Sequence, residues 1–334
     1  MSSPTTLSGS GIAFEVPAED VLLRFQVEGA DVHGRFIRLG PLAEEIIGAH
    51  DYPAPVARLL GEALVLAAMM GAALKTDGSL IFQANGDGTV PLLLVNYRPG
   101  GLLRAYAQVD ADAGLPSGEA SVPALLGRGH LAITLDPGPH MDRYQGLVAL
   151  EGETLTDCAL AYFQQSEQIA TSIVTAVGTR TVCAGDAGMA ESWQAGGIMI
   201  QHLAALGGHD SDAGERAERI AARGPAFTSS GEDVEEAWER ATVLLSTVEA
   251  SELLDPEIPP WQVLRRIFAE DGARIYEPVP LRRDCRCTRE RIRDMLASYG
   301  AGELSDMIET DGAIRVTCAF CNETFAIRPD EIGD

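Results

Sequence analysis

Two cysteine pairs near the C-terminus, Cys285-Arg286-Cys287 and Cys318-Ala319-Phe320-Cys321, place the tightest constraint on how this chain can fold. Thirty residues lie between the pairs. That is enough for a small helical excursion, and few enough for one compact knob to bring four sulfurs to a single ion. Thiolates held in this way suit tetrahedral Zn²⁺. A redox use of the same atoms stays open, because paired cysteines can leave a metal as two disulfides. A third reading, four buried core thiols, requires four of the six cysteines to fall into two close pairs by chance. A knob of about fifty residues with so few apolar side chains rarely holds together on burial alone. A structural zinc site adds about 10–16 kcal/mol of apparent binding energy, which becomes folding energy. One Zn²⁺ per chain on Cys285, Cys287, Cys318 and Cys321 in the reduced form is therefore expected. Arg282, Arg283, Arg286, Arg289, Arg291 and Arg293 crowd the first pair, and positive charge favours both metal capture by thiolates and their oxidation. Oxidation would destroy the ligands, expel the ion and melt the knob, together with any element that leans on it.

The remaining 280 or so residues set the class. A chain of 334 residues is expected to form two domains, or one large and one small. The formal charge of −24, from 25 basic and 49 acidic residues, repels phosphate backbones and makes nucleic acid a poor partner. The opening Met1-Ser-Ser-Pro-Thr-Thr-Leu-Ser-Gly-Ser-Gly has neither a basic region nor an apolar run, so no secretory signal is expected and residues 1–16 read as a flexible tail. The most apolar run, Leu64 to Leu74, is too short to span a bilayer. No membrane is expected, and a cytoplasmic location follows, where thiols are normally reduced.

Residues 21–39 largely alternate apolar and polar side chains, as half-buried strands do. Pro55–Leu74 reads as a buried helix ended by Thr76-Asp77-Gly78. Ser79–Ala84, Val90–Tyr97 and Leu102–Val109, separated by Asn85-Gly-Asp-Gly and Arg98-Pro-Gly-Gly, predict an antiparallel meander. Further strands are expected at His130–Leu135, Gly146–Leu150, Ile169–Val177 and around Met199, with a helix over Leu155–Glu167. Consecutive strands with few helices between them predict an α+β fold: an N-terminal mixed domain with an antiparallel sheet over 17–205, a helical linker, and a small C-terminal zinc-binding α+β domain over 281–330. Residues 206–280 divide into a polar loop to about 230 and two amphipathic helices. The first starts near Ser230 with Asp233 as a rough capping box, and steps through Val234, Trp238, Ala241, Leu245 and Val248. The second opens at Pro259-Pro260 and carries Trp261, Leu264, Ile267 and Phe268 on one face. Neither has a core of its own, so both must lie on something else. In the knob, Thr288–Tyr299 reads as a helix with Ile292, Met295 and Leu296 on one side, and Asp311-Gly312 turns into a strand at Ile314–Cys318.

Catalytic signals are weak, and an enzyme is not expected. His33, His50, His130, His140, His202 and His209 show no metal-ligand spacing. Gly127-Arg-Gly129 precedes a strand instead of following one, the wrong order for a dinucleotide loop. Cys158 and Cys183 stand alone in apolar surroundings and read as buried structural thiols.

The cysteine pairs at this separation, together with Tyr162-Phe-Gln-Gln-Ser-Glu-Gln168, Ala195-Gly-Gly-Ile-Met-Ile-Gln201, Tyr144-Gln-Gly146 and Leu80-Ile-Phe-Gln-Ala-Asn-Gly-Asp-Gly88, resemble the bacterial 33-kDa heat-shock protein family, the redox-regulated holdase chaperones. The likeness runs from about residue 20 to 328, with a longer loop at 206–230 and a short tail after Cys321 as departures. The resemblance implies a stress-response chaperone that works without ATP. In it, a reduced, zinc-bound form is inactive; oxidation joins Cys285 to Cys287 and Cys318 to Cys321, zinc leaves, the linker unfolds, and unfolded or partly folded clients bind. A homodimer of the oxidised form belongs to the same expectation. Two rivals come from other classes. A zinc-ribbon nucleic-acid binder has only the arginines near Cys285 in its favour, and the overall charge against it. A thiol oxidoreductase would use Cys318-x-x-Cys321, yet Cys318 follows a predicted strand where that chemistry prefers a helix start.

Overall fold

The computed structural model describes residues 5–6, 14–74, 78–110, 114, 121–138, 142–183, 188–202 and 231–332. In chain order the N-terminal part runs β1 Thr5–Thr6, β2 Val21–Val27, β3 Val32–Leu39, α1 Pro41–Ile47, α2 Ala54–Gly71, β4 Ser79–Gly86, β5 Leu92–Arg98 and β6 Leu102–Gln108. It continues with α3 Val122–Leu125, β7 Gly129–Asp136, β8 Tyr144–Ala149, α4 Leu155–Tyr162, β9 Thr171–Cys183 and β10 Met189–His202. Then come α5 Gly231–Ser246, α6 Ala250–Leu254, α7 Pro260–Phe268, β11 Ala273–Ile275, β12 Val279–Pro280 and β13 Arg282–Arg283. The chain closes with α8 Arg289–Leu296, α9 Ala301–Asp306, β14 Ile314–Thr317 and β15 Thr324–Ile327.

Two sheets enclose α2. The first, sheet A, has strand order β1-β11-β2-β3-β10-β9 with β12 also on β2; the second, sheet B, runs β13-β6-β5-β4-β7-β8. Every pairing in them is antiparallel except β13 on β6. The expected α+β architecture and the meander β4-β5-β6 are thus found. Helix α2 is long and apolar enough in composition to cross a membrane, but it is the core helix here, with most of its side chains buried between the sheets. A proline in its first turn fits the unbonded N–H positions of a helix start. Val65 and Met69 come close to β10 because residue 197 is glycine: a Cβ there would lie 2.8 Å from the Met69 Cε and 3.0 Å from the Val65 Cγ1. Glu62, also on α2, is half-buried and accepts from the N–H groups of Leu155 and Thr156 and from the Thr156 hydroxyl, so it caps the start of α4. Burial raises its pKa against those hydrogen bonds.

Sheet A is covered on both sides, where the alternation in residues 21–39 predicted half-buried strands. Leu22, Ile37 and Leu39 face α2, whereas Leu23, Phe25 and Phe36 face a second core built with α5, α6 and α7. Val21, Leu22 and Leu23 are consecutively buried for this reason. The two amphipathic helices without a core of their own therefore lie on the N-terminal domain. Ala241, Leu245, Leu264 and Phe268 are buried there, with Trp238 and Trp261 partly so, and Phe268 meets Phe25 at a ring distance of 5.8 Å. Sequence periodicity missed α6, a single short turn between the two. It also missed β11 and β12, three and two residues long, which attach 273–280 to β2. Thr5 and Thr6, in the segment expected as a flexible tail, pair with Ile275 and Arg274. The predicted loop at 206–230, the Ser230 cap and Thr76-Asp77 lie outside the described residues.

Truncating Phe268 to alanine should remove about 3–5 kcal/mol of local packing. Hydrogen exchange of the reduced protein should then quicken over 260–268 much more than over 54–71; equal protection at both places would place Phe268 outside any weak spot.

Candidate metal and redox site

The four cysteines expected to meet do so. Cys285 and Cys287 follow β13, Cys318 follows β14, and Cys321 lies in the turn before β15. Their sulfurs all fall within 4.8 Å of one another. Individual Sγ–Sγ distances are 3.1 Å for Cys285–Cys287, 3.1 Å for Cys287–Cys321 and 3.7 Å for Cys285–Cys318. Sulfurs on a tetrahedral zinc with bonds of about 2.3 Å sit about 3.8 Å apart, so this donor set fits such an ion. All four are free thiols and half-buried. The local chain explains the approach. The Cys318 N–H bonds the Glu323 carbonyl and the Asn322 N–H bonds the Cys318 carbonyl, closing a tight turn in which Asn322 takes φ +58°. Asparagine tolerates that left-handed conformation better than most residues.

The thiols differ in acidity. Burial disfavours the Cys285 thiolate, but hydrogen bonds from the Cys287 N–H and the neighbouring thiols outweigh it, and its pKa falls below the ordinary value. Burial and the adjacent sulfurs push Cys287 up, and burial also raises Cys321.

Around the sulfurs the knob is thin. Leu296, Ile314 and Ile327 form its buried core, with Ile292, Leu304, Val316, Phe325 and Ile332 half-buried against them. Met295, expected on the inner side of α8, is 41% exposed. Helix α8 begins as its sequence predicts, with Thr288 accepting from the Arg291 N–H. The arginines of the first pair mostly meet carboxylates: Arg283 pairs with Glu45 at 2.9 Å, Arg289 with Glu331 at 2.8 Å and Arg286 with Asp284 at 3.3 Å.

Sequence reasoning missed how the knob is fastened. Strand β13 runs parallel to β6 immediately before Cys285, with Leu281 buried in the core of the N-terminal domain. Asp284, between β13 and the first cysteine, takes a two-pronged hydrogen bond from Arg98 at 2.8 and 3.0 Å. Phe320, inside the second cysteine pair, lies under the Arg104 guanidinium at 4.3 Å and edge-on to Tyr106 at 6.3 Å. Burial lowers the pKa of Arg104, the Arg286 charge adds to that, and Asp284, Cys285 and Cys318 act against it. Arg104 is thus a cation facing the sulfurs from the other domain. Alternation marks it as an outward residue of β6, but nothing in the sequence says that a ring 216 positions later covers it.

The lone cysteines part company. Cys158 is buried, which raises its pKa. Cys183, expected to be buried, is exposed at the end of β9, paired with the exposed Met189 of β10.

A family model described as Hsp33 protein matches residues 20–328. The 33 kDa chaperonin of Caulobacter vibrioides is 41% identical over 315 residues, covering 93% of this chain and 95% of that protein. That of Shewanella loihica is 32% identical over 309 residues, covering 92% and 93%. Among solved structures, the Thermotoga maritima 33 kDa chaperonin superposes with a TM-score of 0.69 at 20% identity over 94% of this chain and 97% of that one, a likeness of fold.

Replacing Phe320 with alanine removes the ring between Arg104 and Tyr106 while leaving the sulfurs in place. Alkylation of the four thiols in the reduced chain, prepared without a chelator, should become several-fold faster. Unchanged rates would show that the knob gains no protection from its seat on β6.

Proposed function

Because the chain belongs to the Hsp33 protein family, we propose that it is a redox-regulated, ATP-independent holdase that captures unfolding proteins during oxidative stress. The observation that carries this is the meeting of four thiols in a knob whose buried apolar cluster is three side chains, Leu296, Ile314 and Ile327, spliced to the domain whose second face is covered by α5–α7. In this reading residues 17–205 form the client-binding domain, 206–280 the insertion and linker, and 281–330 the switch. Cys285, Cys287, Cys318 and Cys321 would hold Zn²⁺, which supplies cross-linking of the knob in place of a core.

The chemistry balances with a peroxide as oxidant. For each disulfide two thiols give up two electrons and two protons, and the peroxide O–O bond breaks to give two waters or, from an alkyl peroxide, water and an alcohol. Cys285 and Cys287 would form one disulfide and Cys318 and Cys321 the other. Once the sulfurs pair, they no longer hold an ion, and so small an apolar core cannot keep the knob folded. Its seat on β6 then weakens, and with it the attachment of 273–283 that tethers the linker helices to β2. Sheet A would then offer Leu23, Phe25, Phe36, Ile198 and Ile200, all buried at present, to apolar segments of a client.

Metal analysis of the reduced chain should give one zinc per molecule, with high-affinity zinc lost in Cys318→Ser; a serine variant that keeps full occupancy would end the four-thiolate assignment.

Peroxide should turn on suppression of client aggregation in step with zinc release, while the reduced chain stays quiet. A Cys158→Ser, Cys183→Ser double variant should respond like the wild type. Equal suppression by both forms would remove the switch, and loss of the response in the double variant would mean that the exposed Cys183 belongs to the sensor.

A further inference from the structure

Arg38, on β3, is fully buried on the side of sheet A that faces α5–α7. Its hydrogen bonds all go to main-chain carbonyls: Nε to Leu253 at 2.8 Å, Nη2 to Glu252 at 2.7 Å, and Nη1 to Ile258 at 2.8 Å and Ala18 at 3.0 Å. Three of these four acceptors belong to the short stretch 252–258. Glu252 and Leu253 stand in the last turn of α6, where carbonyls have no partner within the helix. The guanidinium therefore caps the C-terminus of α6 from the sheet beneath it, as a cation at that end should. Burial lowers its pKa to about 10, so it stays charged at neutral pH.

Directly across the β3–β10 ladder from Arg38 stands Gly196. A Cβ at 196 would lie 2.6 Å from the Leu253 carbonyl oxygen, closer than that backbone could tolerate without moving. One residue thus supplies donors to the Leu253 carbonyl, and its neighbour supplies the space in which that carbonyl sits. Helix α6 is five residues long and buries one side chain, Leu253. Its own packing is slight, and its place depends on this socket.

We infer that the Arg38–Gly196 pair is a latch that holds residues 250–258 on sheet A, and that it sets how readily this part of the cover lifts while the cysteine knob is still folded. The inference rests on the reading of the linker as the moving element, and adds to it a holding point distant from the sulfurs. Lifting 252–258 takes three of four acceptors from a buried cation, so the segment cannot leave until water reaches Arg38. Because the contacts are to main chain, substitutions of exposed side chains in α6 should leave the latch intact.

Hydrogen exchange of the reduced full-length protein, read by peptide mass, tests this without oxidant or client. Arg38→Met keeps the bulk and removes the donors. It should speed exchange over 250–258 by about tenfold or more, with Arg38→Lys intermediate. Peptides of α2 and α8 should stay as protected as in the wild type, and metal content should not change. Unchanged exchange over 250–258 in Arg38→Met overturns the latch. Should Arg38→Met also open α2, Gly196→Ala decides, since it adds one methyl group and removes no donor: selective loosening of 250–258 sustains the latch, and wild-type exchange there overturns it. The aggregation assay above decides the holdase assignment separately, so either idea can fail alone.

Discussion

Sheet A has apolar side chains on both faces, and the two covers differ in kind. On one face lies α2, eighteen residues of nearly continuous apolar sequence locked between two sheets. On the other lie three separate helices with charged outer sides, joined by turns and packed through a narrow strip of side chains such as Ala241, Leu245, Leu264 and Phe268. An uncovered apolar face of that breadth is costly in water, so these helices are bound to stay unless something else changes. Further along the chain the knob has only a small buried apolar core beside its four clustered sulfurs.

The two regions communicate through short, specific attachments. Strands β11 and β12 hold residues 273–280 to β2, and β13 joins the same chain to sheet B just before Asp284 and Cys285. Strands of two or three residues carry little stability alone. They persist while both neighbours are folded, and losing either neighbour loosens them. The Arg98–Asp284 pair and the Arg104–Phe320 stack strengthen the seat on the sheet B side. Their partners are 186 and 216 residues apart in sequence, so the coupling arises from the tertiary fold.

That separation also explains what the sequence disclosed. The β4-β5-β6 meander, α2, α4 and the helix after Thr288 follow from local rules of turn chemistry, periodicity and capping, and each was readable within a window of about ten to twenty residues. The cysteine cluster was readable because metal spacing is itself a local pattern. Trp238, Leu245 and Phe268 announced a missing partner by forming stripes with no core in their own segment, although they did not say which surface would receive them. Arg38 gave no signal. An arginine among the apolar residues of a strand looks like an outward-facing position, and only the arrival of three carbonyls from more than two hundred residues away makes it an inward one. Cys183 erred in the opposite sense, since its apolar neighbours Val182 and Ala184 in sequence do not disclose that the end of β9 is exposed.

The pairing of β11 with β2 bears on how this chain is made. Phe25 meets Ile275, and Val27 meets Ala273. A ribosome must therefore finish about four-fifths of the polypeptide before the edge of sheet A can close. Contacts of such long sequence range form late and slowly, and domains tend to fold as they emerge. During synthesis the N-terminal body can pack α2 between its sheets long before the covering helices exist. Synthesis thus passes through a stage in which the second apolar face is open, and the helices α5–α7 with β11 complete the cover before the cysteine knob is made.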